Sequence, residues 1–171
     1  MPASLTDTNN NIDNNHNNKR EDHMPAILHR LSIDASPETV HELVATKEGV
    51  GRWWTATPLG GDAEVGGRLL VGFPGRDEPS AVMEVIEDSG RLVAWRCVDG
   101  PDDWRETTIT FTLVPADRGT TLLFRHAGWR EEGEFMAGCS TNWGAYLASL
   151  KSGAEDDGFR PYPAGELSRW S

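Results

Sequence analysis

The sequence predicts an α+β domain: a curved six-stranded antiparallel sheet wrapped around one long C-terminal helix, with two short helices after the first strand. Three observations carry this. Between residues 68 and 127, segments rich in alternating apolar and polar residues follow one another with short turns containing Gly, Asp or Pro, the pattern of an antiparallel meander. From Phe135 to Leu150, apolar residues recur at three- and four-residue steps, which is helical spacing. Between an early alternating stretch and the meander lies a segment with helix start signals.

Taken in order, Ile27, His29, Leu31 and Ile33 alternate with Arg30 and Ser32, as in a half-buried strand. In the segment DASPETVHELVA, Ser36 suits an N-cap and Pro37 the first helical position. Glu38 complements the positive helix end, and Val40, Leu43 and Val44 form the apolar stripe. This helix stops near Thr46, and a second short one, KEGVGRWW, carries Trp53 and Trp54. Gly60-Gly61 and Gly66-Gly67 mark turns. Five strands follow: Arg68 to Phe73, Ala81 to Glu87, Leu92 to Val98, Trp104 to Val114 and Thr120 to Ala127. The final helix carries Phe135, Cys139, Trp143, Tyr146, Leu147 and Leu150 on one stripe, with Gly153 as its expected C-terminal cap. A sheet with one apolar face needs a cover, and this helix supplies it.

The ends differ in composition. Seven of the first 23 residues are Asn, and the only large aliphatics there are Leu5 and Ile12. Such a stretch cannot bury enough apolar surface to offset its ordering entropy. Residues 1–23 are therefore read as a disordered leader, vector-derived or from an upstream start. Residues 24–153 are the folded domain, and 154–171 an acidic, Pro-containing tail lying on the surface.

The length of 171 residues suits one domain, and a fold of this size buries roughly 70% of the surface of its unfolded chain. With 16 Lys and Arg against 27 Asp and Glu, the net charge is −11. That disfavours nucleic acid and anionic membranes, which are bound through cationic side chains. Cys97 and Cys139 form no CxxC motif and read as reduced, partly buried thiols. No secretory signal and no long apolar run is present, so the cytoplasm is the expected compartment. There is no dinucleotide fingerprint, P-loop, HExxH or GxSxG motif, and Ser140 has no recognisable base. No metal and no cofactor are expected.

The segments ASPETVHELV, EGVGRWWT, AEVGGRLLV, GRLVAWR, GTTLLFRHAGW and TNWGAYLASLK occur in this order. Together they resemble the START-like superfamily, also called helix-grip, Bet v 1-like or SRPBCC. Within it they are most similar to the branch related to the C-terminal domain of the activator of the 90-kDa heat-shock chaperone's ATPase. The resemblance spans about Ile27 to Lys151. It implies a helix-grip fold with a hydrophobic pocket for a lipid, polyketide or aromatic molecule, with catalysis in some members only.

Residue parities and the resemblance together place Trp54, Phe111, Leu122, Phe124, His126, Met136, Cys139, Trp143 and Leu147 around that pocket. His126 shares a face with Leu122 and Phe124, and His126-Ala127-Gly128 fits a His-x-Gly that the family often has. It is either a ligand contact or proton carrier, or a core histidine bonded to a backbone carbonyl of the last helix. Glu84 and Arg96 are the other catalytic candidates. Inward, they would form a polar pair in the pocket. Met83 and Val85, and Val93, Trp95 and Cys97, favour the opposite parity inward. Trp53 and Trp54 either pack against the sheet end or cover the pocket mouth.

The reading that follows is a binding protein for a hydrophobic or aromatic small molecule, with no assigned catalysis. The alternatives are a polyketide cyclase- or aromatase-like enzyme using pocket acid and base residues, and a chaperone-regulator-like interaction module. The last is disfavoured, because only the Asn-rich stretch precedes the domain where the namesake has a separate N-terminal domain. A homodimer is compatible with all three.

Overall fold

The computed structural model describes residues 24–169. The expected leader, residues 1–23, lies outside them. The elements are β1 (Ala26–Ile33), α1 (Pro37–Ala45), α2 (Lys47–Trp53), β2 (Gly60–Gly61), β3 (Arg68–Val71), β4 (Ala81–Asp88), β5 (Leu92–Asp99), β6 (Thr108–Ala116), β7 (Gly119–Ala127) and α3 (Glu134–Asp156).

One sheet runs in the order β1-β7-β6-β5-β4-β3-β2, every neighbour antiparallel. The meander is closed by β1, which lies beside the last strand with Ile27 opposite His126 and Leu31 opposite Leu122. Six strands are those expected. The seventh, β2, is two glycines long and offers no side-chain alternation to read. Gly61 has φ 78°, and the Arg68 carbonyl occupies the space a Cβ would need, so only glycine fits there.

The alternation sets the two faces. Ile109, Phe111, Leu113, Leu122, Phe124 and His126 point to the helix side and are buried, whereas Leu123 and Arg125 point outward. Ser36 caps α1, its hydroxyl accepting from the Thr39 amide at 3.2 Å, and Thr46 caps α2 by accepting from the Gly49 amide at 2.9 Å. α3 lies against β1, α1 and α2. Its stripe of Cys139, Trp143, Tyr146, Leu147 and Leu150 is buried. No helix among the described residues is long and apolar enough to cross a membrane.

β3 ends at Val71 rather than Phe73, and two further boundaries differ more from expectation. β6 begins at Thr108, not Trp104. The chain before it turns, with the Trp104 amide donating to the Pro101 carbonyl and the Thr107 amide to that of Trp104. Glu106 adopts φ 66°, which no strand continues through. Gly153 is not a cap: α3 continues to Asp156 and ends on Asp157 at φ 60°. The missing side chain serves a close approach instead, because the Phe159 ring fills the space beside Gly153.

That approach brings the tail back along the helix. The Arg160 amide donates to Ser149 Oγ at 2.6 Å, and Arg52 lies over the Phe159 ring. The Asn142 side chain holds the tail's end. Its Oδ1 accepts from the Leu167 and Ser168 amides, and its Nδ2 donates to the Ser168 carbonyl. Tyr162 bridges to the segment after α2, donating its amide to the Trp54 carbonyl at 2.8 Å and accepting from the Ala56 amide at 3.0 Å. The described residues after α3 are thus tied down by side chains and backbone.

Candidate functional site

The space between sheet and helix is filled by indoles and phenyl rings. Trp53, Trp54, Trp95, Trp104, Trp129 and Trp143 are all buried. Trp54 stacks on Trp95 with centroids 6.0 Å apart and meets Trp143 at 5.0 Å, while Phe124 meets Trp143 at 4.8 Å. Each such side chain buries about 150–250 Å² and prefers these offset or edge contacts. Phe111, Leu122, Phe124 and Leu147 belong to this solid core, at 2% exposure or less. Met136 is partly buried against it.

His126 is fully buried. The Trp143 indole N–H donates to its Nδ1 at 3.2 Å, so the ring proton sits on Nε2 and is donated to Thr107 Oγ1 at 2.8 Å. Thr107 passes its own proton to the Trp104 carbonyl, and Trp129 donates to the His126 carbonyl. Burial pushes the imidazole pKa down to about 3, so the ring is neutral. The partner from the last helix is thus a Trp side chain rather than the expected carbonyl, and both ring nitrogens are taken.

Glu84 and Arg96 lie directly opposite each other on β4 and β5 and form an ion pair of 2.6 Å on the outer face of the sheet. The inward orientation considered for them does not occur, because Ala81, Met83, Val85, Trp95 and Cys97 occupy the helix side. Ser140 does have an imidazole near it: His29 Nε2 lies 3.4 Å from Ser140 Oγ. The same nitrogen is 3.2 Å from the Ser140 carbonyl, and donation there leaves it no lone pair to activate the hydroxyl.

An open space walled by aromatic rings lies at one end of the sheet. A cavity of about 230 Å³ is lined by Phe73, Pro74, Arg76, Ser80, Ala81, Pro101, Trp104, Phe135 and Tyr162. Four segments build it. The β3–β4 connection carries Phe73, Arg76 and Ser80, and the Ser80 amide closes it by donating to the Val71 carbonyl at 2.7 Å. The β5–β6 turn carries Trp104, whose indole N–H reaches Cys139 Sγ at 3.3 Å. The first turn of α3 supplies Phe135. The tail supplies Tyr162, whose ring meets Phe73 edge-on at 5.1 Å. Phe73 and Trp104 also line a smaller void of about 30 Å³ with Trp54, Cys139, Asn142, Trp143 and Tyr146. That is room for about one water.

Of the residues expected at the pocket, Trp54, Cys139 and Trp143 therefore reach the inner void, and none lines the outer cavity. The cavity wall uses aromatic residues from turns and from the tail, where no periodicity points to them. Phe73 and Trp104 stand at the ends of expected strands and Tyr162 in the expected tail, so no local signal marks them as one wall. The wall contains one charged side chain, Arg76, and one buried hydroxyl, Ser80 Oγ, without a hydrogen-bond partner. It contains no His, Cys, Asp or Glu. Among the described residues no three His, Cys, Asp or Glu side chains cluster as metal ligands.

Comparison with known proteins agrees with this architecture. The family model described as Activator of Hsp90 ATPase homolog 1-like protein matches residues 34–155. The solution structure of the Aha1 dimer from Colwellia psychrerythraea is similar at 32% identity, covering 78% of this chain and 98% of that one, with a TM-score of 0.70. CalU16 from Micromonospora echinospora has the same fold at 18% identity, covering 84% of this chain and 72% of that one, with a TM-score of 0.65. So does EF2215, a conserved protein of unknown function from Enterococcus faecalis, at 19% identity, 87% and 80% coverage, and a TM-score of 0.62. No curated protein matches the chain.

Proposed function

The chain belongs to the Activator of Hsp90 ATPase homolog 1-like family, and from that membership and the cavity beside Trp104 we propose that it is a START-like small-molecule-binding protein. Its ligand is apolar or aromatic, and its task is binding rather than catalysis. The observation that carries this reading is the cavity: about 230 Å³ of space walled by Phe73, Trp104, Phe135 and Tyr162, with few polar groups. Concave, mostly apolar sites with a small number of polar groups are where small ligands bind. The cyclase-like alternative loses ground because His126 spends both nitrogens inside the core and Glu84 and Arg96 face outward.

Native mass spectrometry of the protein purified from its own host tests the proposal. A retained small molecule that is lost on Trp104→Ala supports it. Absence of any retained molecule, together with no change at the Trp104 indole signal across a panel of aromatic fragments, overturns it.

We also propose that the chain self-associates, because the Colwellia relative, 32% identical over nearly its whole length, is described as a dimer. Light scattering on the purified chain reads this directly, and a monomer mass at all concentrations rejects it. Cys97 and Cys139 are free and buried, which supports a proposed location in a reducing compartment such as the cytoplasm.

A further inference from the structure

We infer that the ligand of the Trp104 cavity is a small aromatic carboxylate: one ring or two fused rings seated among Phe73, Trp104, Phe135 and Tyr162, with its acid group held by Arg76 and Ser80. This rests on the binding function proposed above and adds the size and charge of the occupant.

Size comes from the volume. A cavity of about 150 Å³ is enough for benzene, and drug-sized ligands occupy roughly 300–1,000 Å³. At about 230 Å³ this cavity falls between them. A long acyl chain or a multi-ring polyketide exceeds it. Shape comes from the walls. Four aromatic rings from four separate segments surround the space, and the edge-on contact of Tyr162 with Phe73 leaves ring faces and edges for a flat guest.

Charge comes from what the wall contains and what it lacks. The chain has 27 acidic residues and a net charge of −11, yet no carboxylate lines the cavity and its one charged residue is Arg76. Like Arg30, Arg68, Arg125, Arg130, Arg160 and Arg169, Arg76 has no ion pair among the described residues, and of these it alone lines the cavity. Asp77 and Glu78 follow it in sequence but do not line the space. A guanidinium is a planar, permanently charged fork whose geometry matches a carboxylate. Ser80 Oγ is buried in the same wall without a partner. A buried hydroxyl is normally satisfied, and rotation of the Ser80 side chain toward the cavity would let a ligand oxygen complete it. A cationic ligand would meet Arg76 with like charge and leave the hydroxyl no anion to serve.

The test is a matched pair, 2-naphthoate and 2-naphthamide, which share shape and differ in charge. Each is titrated into the full chain by calorimetry, with the Trp104 indole N–H followed by NMR. The expected result is naphthoate binding about tenfold more tightly than the amide. Arg76→Gln should erase that ratio while leaving amide affinity within about twofold, and Ser80→Ala should weaken naphthoate several-fold. Both variants lie at the cavity wall and should melt near wild type. Equal affinity for the two compounds in wild type, or an unchanged ratio in Arg76→Gln, overturns the charge assignment and leaves the binding function standing. No binding of either compound and no movement of the Trp104 signal overturns both.

Discussion

Trp143 on α3 donates its indole N–H to Nδ1 of His126 on β7 at 3.2 Å, tying the long helix to the sheet through the buried imidazole. The contact fixes the tautomer, and Thr107 takes the remaining ring proton at 2.8 Å. His126 thereby becomes a structural pin for the aromatic core.

A pH signature follows from its burial. The folded pKa is pushed from the ordinary 6.5 down to about 3, so between these values the unfolded chain binds a proton that the folded chain does not. The contribution to stability is complete above pH 6.5 and falls, as pH falls toward 3, by about 1.4 kcal/mol per pH unit. His126→Phe removes this dependence. Urea unfolding at pH 7 should show the variant about 1–3 kcal/mol less stable, because the Trp143 N–H is left without its acceptor. At pH 5 the gap should narrow by about 2 kcal/mol. A gap that stays constant with pH would show that His126 does not remain neutral in the fold.

Gly153→Ala separates helix propensity from packing. In an exposed helix interior the change stabilises by about 1 kcal/mol. Here the Phe159 ring occupies the position of the new methyl. The ring must leave, and with it go its contact with Arg52 and the turn that brings Arg160 to Ser149. The expected outcome is a lower melting temperature and faster proteolysis between residues 157 and 169. Stabilisation instead would mean that the tail is not held on the helix.

The faces of the sheet were legible because a two-residue period has only two phases. Once Ile109, Phe111 and Leu113 are taken as inward, the register carries Leu122, Phe124 and His126 with them. The cap at Ser36 was legible from its neighbours Pro37 and Glu38. The cavity was not. Its wall joins residues 73–81, 101–104, 135 and 162, and contacts at such separation leave no local pattern. At Trp104, residue types that favour strands concealed a turn, because the left-handed position is filled by Glu106 rather than glycine. The same holds for Gly153, which looked like a helix end because glycine at a close helix contact and glycine at a C-cap are the same letter.

Both thiols should be inert in the native fold. Burial pushes the Cys97 pKa up to about 11 and that of Cys139 to about 12, and each side chain is 1% exposed. The thiolate is the reactive form, and at pH 8 almost none is present. A disulfide-exchange reagent should label neither cysteine until denaturant is added, and should then label both together. Rapid labelling of Cys139 alone would show that the Trp104 side of the inner void opens to solvent.

Trp104 is the partition between the outer cavity of about 230 Å³ and the inner void of about 30 Å³, since it and Phe73 line both. Its own volume is far larger than the void behind it. Trp104→Ala should therefore merge the two spaces into one that reaches Cys139 and Trp143 on α3. Removing so large a buried side chain costs about 3–5 kcal/mol. It also deletes the indole donor to Cys139 Sγ, a weak bond. The backbone carbonyl that accepts from Thr107 is unchanged, so the Thr107–His126 chain should survive. The variant should thus unfold at lower urea concentration yet keep the pH dependence of His126. A three-ring aromatic acid that the wild type excludes should bind the variant and raise its melting temperature. If the acid stabilises neither protein while the destabilisation is seen, the core has collapsed into the space that Trp104 leaves. If the variant is as stable as wild type, Trp104 does not carry the packing that its 7% exposure assigns to it.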